Sequence, residues 1–186
     1  MPGGLNPVFA PPAARLFFAL WPPPAARAQL TEWTQTLHAA VGGKPPHPED
    51  LHLTLVFLGS VPAHRLPELR ALAAAIPFSS FRLTLARAGC WKRNRVAWCA
   101  PEAIAPLLAR LVTSLEARLT AEGFAYDRRP FAPHVTLARN ARCPETELSG
   151  KLIHWPVKNF VLAQSRSAPA GSPRYDVIGS WPELSI

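Results

Sequence analysis

Two short segments of the sequence carry the same pair of reactive side chains at the same spacing. They are His52-Leu53-Thr54-Leu55 and His134-Val135-Thr136-Leu137, and they lie 82 residues apart in a chain of 186 residues. An imidazole can transfer a proton near neutral pH, and a threonine hydroxyl can donate a hydrogen bond to an anionic oxygen. Two imidazoles and two hydroxyls around one point therefore suit the cleavage of a phosphodiester, in which one histidine accepts a proton and the other donates one.

Both segments are predicted to be strands, and a strand determines which side chains point the same way. Alternate residues share a face, so His52 and Thr54 project from one face while the leucines beside them project from the other. The same spacing puts His134 and Thr136 on one face of their strand. One such strand in each half of the chain predicts two similar lobes that face each other across a shared cleft.

The residues three positions after the two threonines are the next candidates for the cleft. They are Phe57 and Arg139. Strict alternation places both on the face opposite the histidines. It predicts that Phe57 packs in the core, and it brings Arg139 into the cleft only if a twist or a bulge displaces the end of the strand.

Predicted strands and helices alternate along the rest of the chain. Apolar residues at helical spacing, with Gly or Pro at the ends, predict helices at about 24–41, 63–76 and 105–122. The predicted strands are 15–21, 51–58, 81–88, 95–100, 134–139, 155–165 and 175–181. This order predicts the α+β class with two antiparallel-rich sheets, in one domain over residues 15–186. Residues 1–14 are rich in Pro, Gly and Ala without a basic segment before an apolar core, which predicts a short flexible arm and not a signal peptide.

The charge of the chain favours an anionic partner. Its formal net charge is +8, and only four of its 20 basic residues are lysines. The planar fork of arginine matches phosphate, so nucleic acid is the partner class that this charge indicates, although a GC-rich source would also enrich arginine. Predicted loops supply candidates for RNA backbone contact or base stacking, with solvated loops as the alternative. These candidates are Trp91, Lys92, Arg93, Arg128 and Arg129.

Cysteine and histidine usage argues against disulfide and metal scaffolds. The three cysteines, Cys90, Cys99 and Cys143, are odd in number and form no C-x-x-C motif, which predicts reduced thiols in a cytoplasmic protein. Two histidines without a nearby Asp, Glu or Cys are a poor ligand set, so neither a metal nor another cofactor is expected.

No segment has the roughly 20 apolar residues of a membrane helix, so no contact with a membrane is expected. The protein is expected to be a monomer.

The segments around both histidines resemble the two-histidine phosphoesterase superfamily, which is defined by paired His-x-[Thr/Ser]-x motifs. The resemblance is closer to the bacterial and archaeal RNA 2′,3′-cyclic phosphodiesterases, also called 2′–5′ RNA ligases. It covers most of the chain. Its specific parts are residues 50–59 and 129–139, and its supporting parts are 15–20 and 161–165, followed by Tyr175.

This resemblance implies a bilobal α+β fold with pseudo-twofold symmetry, outer helices and a central cleft. It implies metal-independent hydrolysis of the 2′,3′-cyclic phosphate at RNA ends, such as tRNA halves, to a 2′-phosphate. His52 would protonate the leaving 3′ oxygen and His134 would activate water, although the near symmetry of the motifs leaves this assignment open. Thr54 and Thr136 would hold the non-bridging oxygens. Arg139 matches a basic residue that often follows the second motif, and Arg129 and Phe57 are further candidates for contact with substrate.

Two other functions are consistent with the residues. One is a nucleotide- or RNA-binding module that keeps the cleft but catalyses little, which the two intact His-Thr pairs argue against. The other is an enzyme of the same type that acts on a small cyclic phosphate, such as a cyclic nucleotide or ADP-ribose 1″,2″-cyclic phosphate. The basic charge favours RNA over a small molecule. The reverse reaction, which joins RNA ends through a 2′–5′ bond, would use the same groups.

Overall fold

Eight strands and three helices make up the part of the chain that a computed structural model describes, residues 13–145, 148, 150–169 and 171–182. The strands are β1 Ala13–Leu20, β2 Leu53–Pro62, β3 Phe81–Trp91, β4 Val96–Pro101, β5 Val135–Arg139, β6 Ile153–Val157, β7 Asn159–Ser165 and β8 Tyr175–Pro182. The helices are α1 Pro24–Val41, α2 Leu66–Ala74 and α3 Pro106–Ala121, and single 3₁₀ turns lie at Pro48–Asp50 and Ala63–Arg65.

The eight strands form one antiparallel sheet in the order β6-β3-β4-β5-β2-β1-β7-β8. The half β6-β3-β4-β5 and the half β2-β1-β7-β8 meet where Leu53 pairs with Val135. The α+β class is confirmed, and the two sheets that the sequence predicts are the halves of this one sheet. The two central strands are therefore β2 and β5, which contain Thr54 and Thr136 and begin one residue after His52 and His134, not at 51 and 134 as predicted.

Each half of the sheet is covered by a helix that leaves a strand of the other half. Helix α1 follows β1 but packs against β5 and β6, whereas α3 follows β4 and packs against β2 and α2. The predicted range of α1 is confirmed at both ends, since Pro24 begins it and Gly42, with a φ of 58°, follows its last residue. In α3 the leucines at helical spacing, Leu108, Leu111, Leu115 and Leu119, are buried, whereas Leu107 is 37% exposed.

Several element boundaries differ from the sequence prediction. Strand β3 continues to Trp91, so the loop predicted over 89–94 is shorter. The strand predicted over 155–165 is two strands, because Lys158 separates β6, which pairs with β3, from β7, which pairs with β1. Residues 1–12 of the predicted arm lie outside the described residues, and Ala13 and Ala14 already belong to β1. None of the helices in the described ranges is long and apolar enough to cross a membrane.

The prediction that all three cysteines are reduced is wrong for two of them. Cys90 and Cys143 form a disulfide, with their Cα atoms 5.3 Å apart, and Cys99 is buried as a free thiol. The sequence does not reveal this pair because 53 residues separate its members. The pairing of β3 with β4, and of β4 with β5, brings the end of β3 close to the segment after β5.

Candidate active site

The two histidines stand immediately before the central strands and are held by identical hydrogen bonds. Nδ1 of His52 lies 2.6 Å from the carbonyl oxygen of Asp50, and Nδ1 of His134 lies 2.7 Å from that of Ala132. A carbonyl oxygen can only accept, so Nδ1 carries the hydrogen and donates in both cases. Nε2 of each ring is therefore the atom that can exchange a proton with a ligand.

A β-bulge interrupts each central strand at the same position after its His-Thr pair. In β2, Thr54 pairs with Ala19 but Val56 pairs with Phe18, so Leu55 is the extra residue. In β5, Thr136 pairs with Trp98 but Ala138 pairs with Ala97, so Leu137 is the extra residue. A bulge shifts the alternation of the side chains that follow by one position.

At each bulge, two residues that are two positions apart on the central strand pair with two consecutive residues of the neighbouring strand. As a result, Phe57 returns to the face of Thr54, and Arg139 returns to the face of Thr136. The burial pattern agrees, because Leu137 and Ala138 are consecutive buried residues and Arg139 is exposed.

These bulges bring Phe57 and Arg139 to the cleft. Phe57 lines cavities beside both histidines, and it is also half-buried against the small apolar cluster of Phe17, Ala19, Val161 and Ala163. The predicted core packing is therefore confirmed in part, and the predicted face is wrong. Arg139 reaches the cleft through the kind of bulge that its prediction required. Strict alternation failed here because the extra residue is visible only in the pairing with the neighbouring strand.

Three adjoining cavities surround the central strands, and Arg139 lines all of them. The His52 cavity has a volume of ≈ 470 Å³ and is also lined by Thr54. The His134 cavity, of ≈ 390 Å³, is lined by Thr54 and Thr136 as well. A side cavity of ≈ 770 Å³ is lined by His52, Thr136 and Arg139. The predicted pairs of imidazoles and hydroxyls therefore converge on one region, with one guanidinium among them.

Aromatic side chains enclose the imidazoles unequally. The ring of His52 lies 4.9 Å from Phe17 and 5.1 Å from Tyr175, and it stacks on Trp21 at 5.2 Å with an interplanar angle of 8°. Among the residues that the structure describes, the ring of His134 has one such neighbour, Trp91, at 4.5 Å in an edge arrangement. His52 is therefore the more desolvated of the two.

Burial lowers the pKa of both histidines, because it disfavours the charged imidazolium. It brings the pKa of His52 to about 4, with smaller contributions in the same direction from the positive charge of Arg139 and from His134, against the hydrogen bond to the Asp50 carbonyl. The pKa of His134 is also lowered, first by burial and then by Arg139. Both imidazoles are therefore neutral at pH 7 while the cleft holds no anion.

The loop residues that the sequence nominated are mostly engaged with other protein groups. At the His134 cavity, the guanidinium of Arg129 donates hydrogen bonds to the carboxylate of Asp127. These bonds lower the pKa of Asp127. Arg128 lies over the ring of Tyr126, 4.8 Å from its centroid, and Lys92 pairs with Glu145 at 2.7 Å. Arg93 lines none of the three cavities, whereas Trp91 lines the His134 cavity.

Sequence reasoning missed most of the residues on the His52 side. They come from β1 and the residue after it, and from the turn between β7 and β8 and the start of β8, which are far from both motifs along the chain. The available signal was weak, an arginine at a strand end beside a Gly, Pro and Ser turn. The missed residues are Arg15, Phe17, Trp21, Arg166, Arg174 and Tyr175. Among the described residues, no group of three or more His, Cys, Asp or Glu side chains is arranged to hold a metal ion.

Comparison with known proteins gives one family. The model of the LigT like Phosphoesterase family matches residues 20–98 and again 99–172, and each match contains one His-x-Thr segment. The chain is 36% identical over 169 residues to the RNA 2′,3′-cyclic phosphodiesterase of Escherichia coli K12, which covers 90% of this chain and 95% of that relative. It is 34% identical over 176 residues to the Thermus thermophilus protein of the same name, with 88% and 87% covered.

Solved structures agree with the sequence comparison. The crystal structure of E. coli LigT complexed with 3′-AMP superposes with a TM-score of 0.84 and 34% identity, over 94% of this chain and all of that one. The Thermus thermophilus structure of TT0787 superposes with a TM-score of 0.76 and 33% identity, over 90% and 97% of the two chains.

Proposed function

The chain belongs to the LigT like phosphoesterase family, and we propose from this premise that it hydrolyses RNA 2′,3′-cyclic phosphates to 2′-phosphates through His52 and His134. The observation that carries this proposal is the pairing of Leu53 with Val135, because these are the residues between the histidine and the threonine of each motif. The pairing sets the two motifs side by side. In each motif, Nδ1 of the histidine donates a hydrogen bond to the carbonyl of the residue two positions earlier.

In the proposed reaction, Nε2 of His134 takes a proton from water as the water oxygen attacks phosphorus. The bond from phosphorus to the ribose 3′ oxygen breaks, and the protonated Nε2 of His52 gives its proton to that oxygen. The products are a 2′-phosphate and a 3′-hydroxyl, and exchange with solvent restores both rings. Thr54 and Thr136 donate to the non-bridging oxygens, and Arg139 stabilises the negative charge that builds up on them.

His52 must gain a proton before it can donate one. Its pKa of about 4 keeps it neutral in the empty cleft, mainly because of burial. The negative charge of a bound cyclic phosphate raises the pKa of an adjacent imidazole, and the face of Trp21, stacked on the ring, favours the imidazolium through a cation–π interaction. Proton uptake by one imidazole is therefore coupled to substrate binding.

The same groups support ligation, in which the 5′-hydroxyl of a second RNA replaces water. His134 would take the proton of that hydroxyl, and the product would contain a 2′–5′ bond. The substrates would be RNA ends such as tRNA halves, processed in the cytoplasm by a monomer. Detection of a 2′–5′ bond between an RNA with a cyclic phosphate end and a second RNA with a 5′-hydroxyl tests this extension.

The central test uses a short RNA that ends in a 2′,3′-cyclic phosphate, incubated with the protein in the presence and absence of EDTA. We expect EDTA-resistant formation of the 2′-phosphate, with loss of roughly 10²–10⁴ in rate in His52→Ala and in His134→Ala. His64→Ala is the matched control, because His64 is exposed and lines none of the three cavities. Absence of turnover in the folded wild type would favour a binding module, and loss with EDTA would refute the metal-free mechanism.

A further inference from the structure

The two sides of the histidine pair differ in charge. The charged residues of the His134 cavity are Glu116, Asp127, Arg129 and Arg139, so acids and bases balance there. Among the described residues, no Asp or Glu lines the His52 cavity. Four arginines line it, namely Arg15, Arg139, Arg166 and Arg174. A polyanion is therefore attracted to the His52 side.

Three of these arginines form a row at one end of the sheet. Arg15 is near the start of β1, Arg166 follows the end of β7, and Arg174 precedes β8. These three strands are neighbours and antiparallel, so the start of β1, the end of β7 and the start of β8 lie together. The backbone N–H of Arg166 donates to the carbonyl of Arg174 at 2.9 Å, which continues the pairing beyond the strands. We call Arg15, Arg166 and Arg174 the arginine rim.

The arginine rim is exposed and is only partly neutralised by the residues that the structure describes. Arg174 forms no salt bridge with any of them, and neither does Arg15, whose guanidinium lies 5.5 Å from the centroid of the Phe57 ring. The guanidinium of Arg166 lies 3.5 Å from the carboxylate of Asp176, and both side chains are about half exposed. Such exposed pairs contribute little free energy and yield readily to a phosphate.

A buried carboxylate ties the arginine rim to the catalytic histidine. Asp50 is 5% exposed, and its two side-chain oxygens accept the backbone N–H of Arg174 at 2.9 and 3.0 Å. The carbonyl of the same Asp50 holds Nδ1 of His52. Tyr175, the next residue after Arg174, contacts the His52 ring. The rim therefore has a fixed position relative to the reacting nitrogen.

We propose that the arginine rim binds the phosphates of the RNA strand on the 5′ side of the cyclic phosphate. This inference rests on the proposed function and adds the direction in which the substrate enters. Phe57 and Tyr175, both half-buried in the wall of the same cavity, provide apolar surface for the ribose and base of the nucleotides between those phosphates.

The direction of the strand also bears on which histidine is the acid. The leaving 3′ oxygen belongs to the ribose of the bound strand, so a strand on the His52 side brings that oxygen to His52. Water, or the 5′-hydroxyl of a second RNA, then approaches from the opposite side, next to His134. The charge distribution thus selects His52 as proton donor, an assignment that the symmetry of the motifs leaves open.

The test compares two substrates with the same reacting end. One is adenosine 2′,3′-cyclic monophosphate, and the other is a short single-stranded RNA whose last nucleotide is that same cyclic phosphate. The variant is Arg15→Gln/Arg166→Gln/Arg174→Gln. Its control for net charge is Arg82→Gln/Arg87→Gln/Arg110→Gln, which removes three exposed arginines that line none of the three cavities.

We expect the rim variant to lose at least about tenfold in kcat/KM for the RNA and little for the mononucleotide, and the control to behave as the wild type. The salt dependence gives a second readout. Each phosphate contact to single-stranded nucleic acid contributes about 0.7 to the slope of log affinity against log salt, so loss of three contacts reduces that slope by about two. An unchanged rate with RNA, or an equal loss on both substrates, would overturn the proposal.

A binding measurement keeps the two proposals separable. Fluorescence anisotropy with an RNA that ends in a 2′-phosphate measures strand binding without turnover. Weaker binding by the rim variant alone supports the rim even if the wild type hydrolyses neither substrate, in which case the proposed function fails and the rim stands. Equal binding by the wild type, the rim variant and the charge control refutes the rim even if hydrolysis is observed.

Discussion

Leu53 of β2 pairs in register with Val135 of β5, and both side chains are fully buried at the junction of the two halves of the sheet. Each of these residues lies between the histidine and the threonine of its motif. Their pairing therefore places one imidazole and one hydroxyl beside the other imidazole and hydroxyl. It is the reason that two segments 82 residues apart along the chain line the same cleft.

Replacement of either threonine by valine should reduce kcat more than it raises KM. Valine keeps the shape of threonine but lacks the hydroxyl that, in the proposed mechanism, donates to a non-bridging oxygen, whose charge is greatest in the transition state. Loss of one such donor costs roughly 10²–10³ in kcat. Steady-state kinetics of Thr54→Val and Thr136→Val with the cyclic phosphate RNA measure this, with Thr84→Val on β3 as the control. A change confined to KM would show that the hydroxyls bind the ground state only.

The pH dependence of kcat/KM should be a bell centred below pH 6.5, the ordinary pKa of histidine. In the free protein, burial and Arg139 lower the pKa of both imidazoles, that of His52 to about 4. The cyclic phosphodiester keeps one negative charge throughout this range, so both limbs belong to the protein. Initial rates at low substrate concentration across the acid range measure the profile. An optimum above pH 6.5 would contradict the pKa shifts.

Stability should fall as the pH falls from about 6.5 towards 4. A histidine with a lowered pKa in the folded state binds its proton more tightly in the unfolded chain, so acid favours unfolding in this window. Because burial lowers the pKa of His52 to about 4, His52→Gln should lose less of its free energy of unfolding than the wild type between pH 7 and pH 5. Urea unfolding at both pH values measures the difference, and His64→Gln should follow the wild type.

A substrate with sulfur in place of the leaving 3′ oxygen should distinguish the acid from the base. A thiolate leaves without protonation far more readily than an alkoxide does, so the acid becomes dispensable. His52→Ala should recover most of its lost rate on the sulfur substrate, whereas His134→Ala should stay impaired on both. Recovery by His134→Ala instead would reverse the assignment of the two roles.

Thiol titration should find one free cysteine in protein purified without reductant. Cys90 and Cys143 are joined, and Cys99 is completely buried with a pKa raised by that burial, so the native protein should react slowly with a thiol reagent. Denaturation should expose one thiol per chain, and reduction before denaturation should expose three. Three thiols without reduction would contradict the disulfide.

Local features of the sequence predicted the helices and the four central side chains well. The proline before α1 and the glycine after it set both of its ends, because each residue restricts or permits particular backbone angles. Strand alternation correctly grouped His52 with Thr54 and His134 with Thr136. It failed at Phe57 and Arg139, because alternation assumes that each residue faces one partner and the bulges break that correspondence.

The sequence by itself therefore determined which side chains are candidates for the chemistry and that they lie at or next to two strands, since periodicity and capping act over a few residues. Only the tertiary structure decided the register of β2 against β5, the two bulges, the disulfide and the arginine rim. Each of these depends on contacts between segments far apart in the chain, whose relative position is set by the packing of the whole sheet and its helices. Local preferences contain no information about such distances.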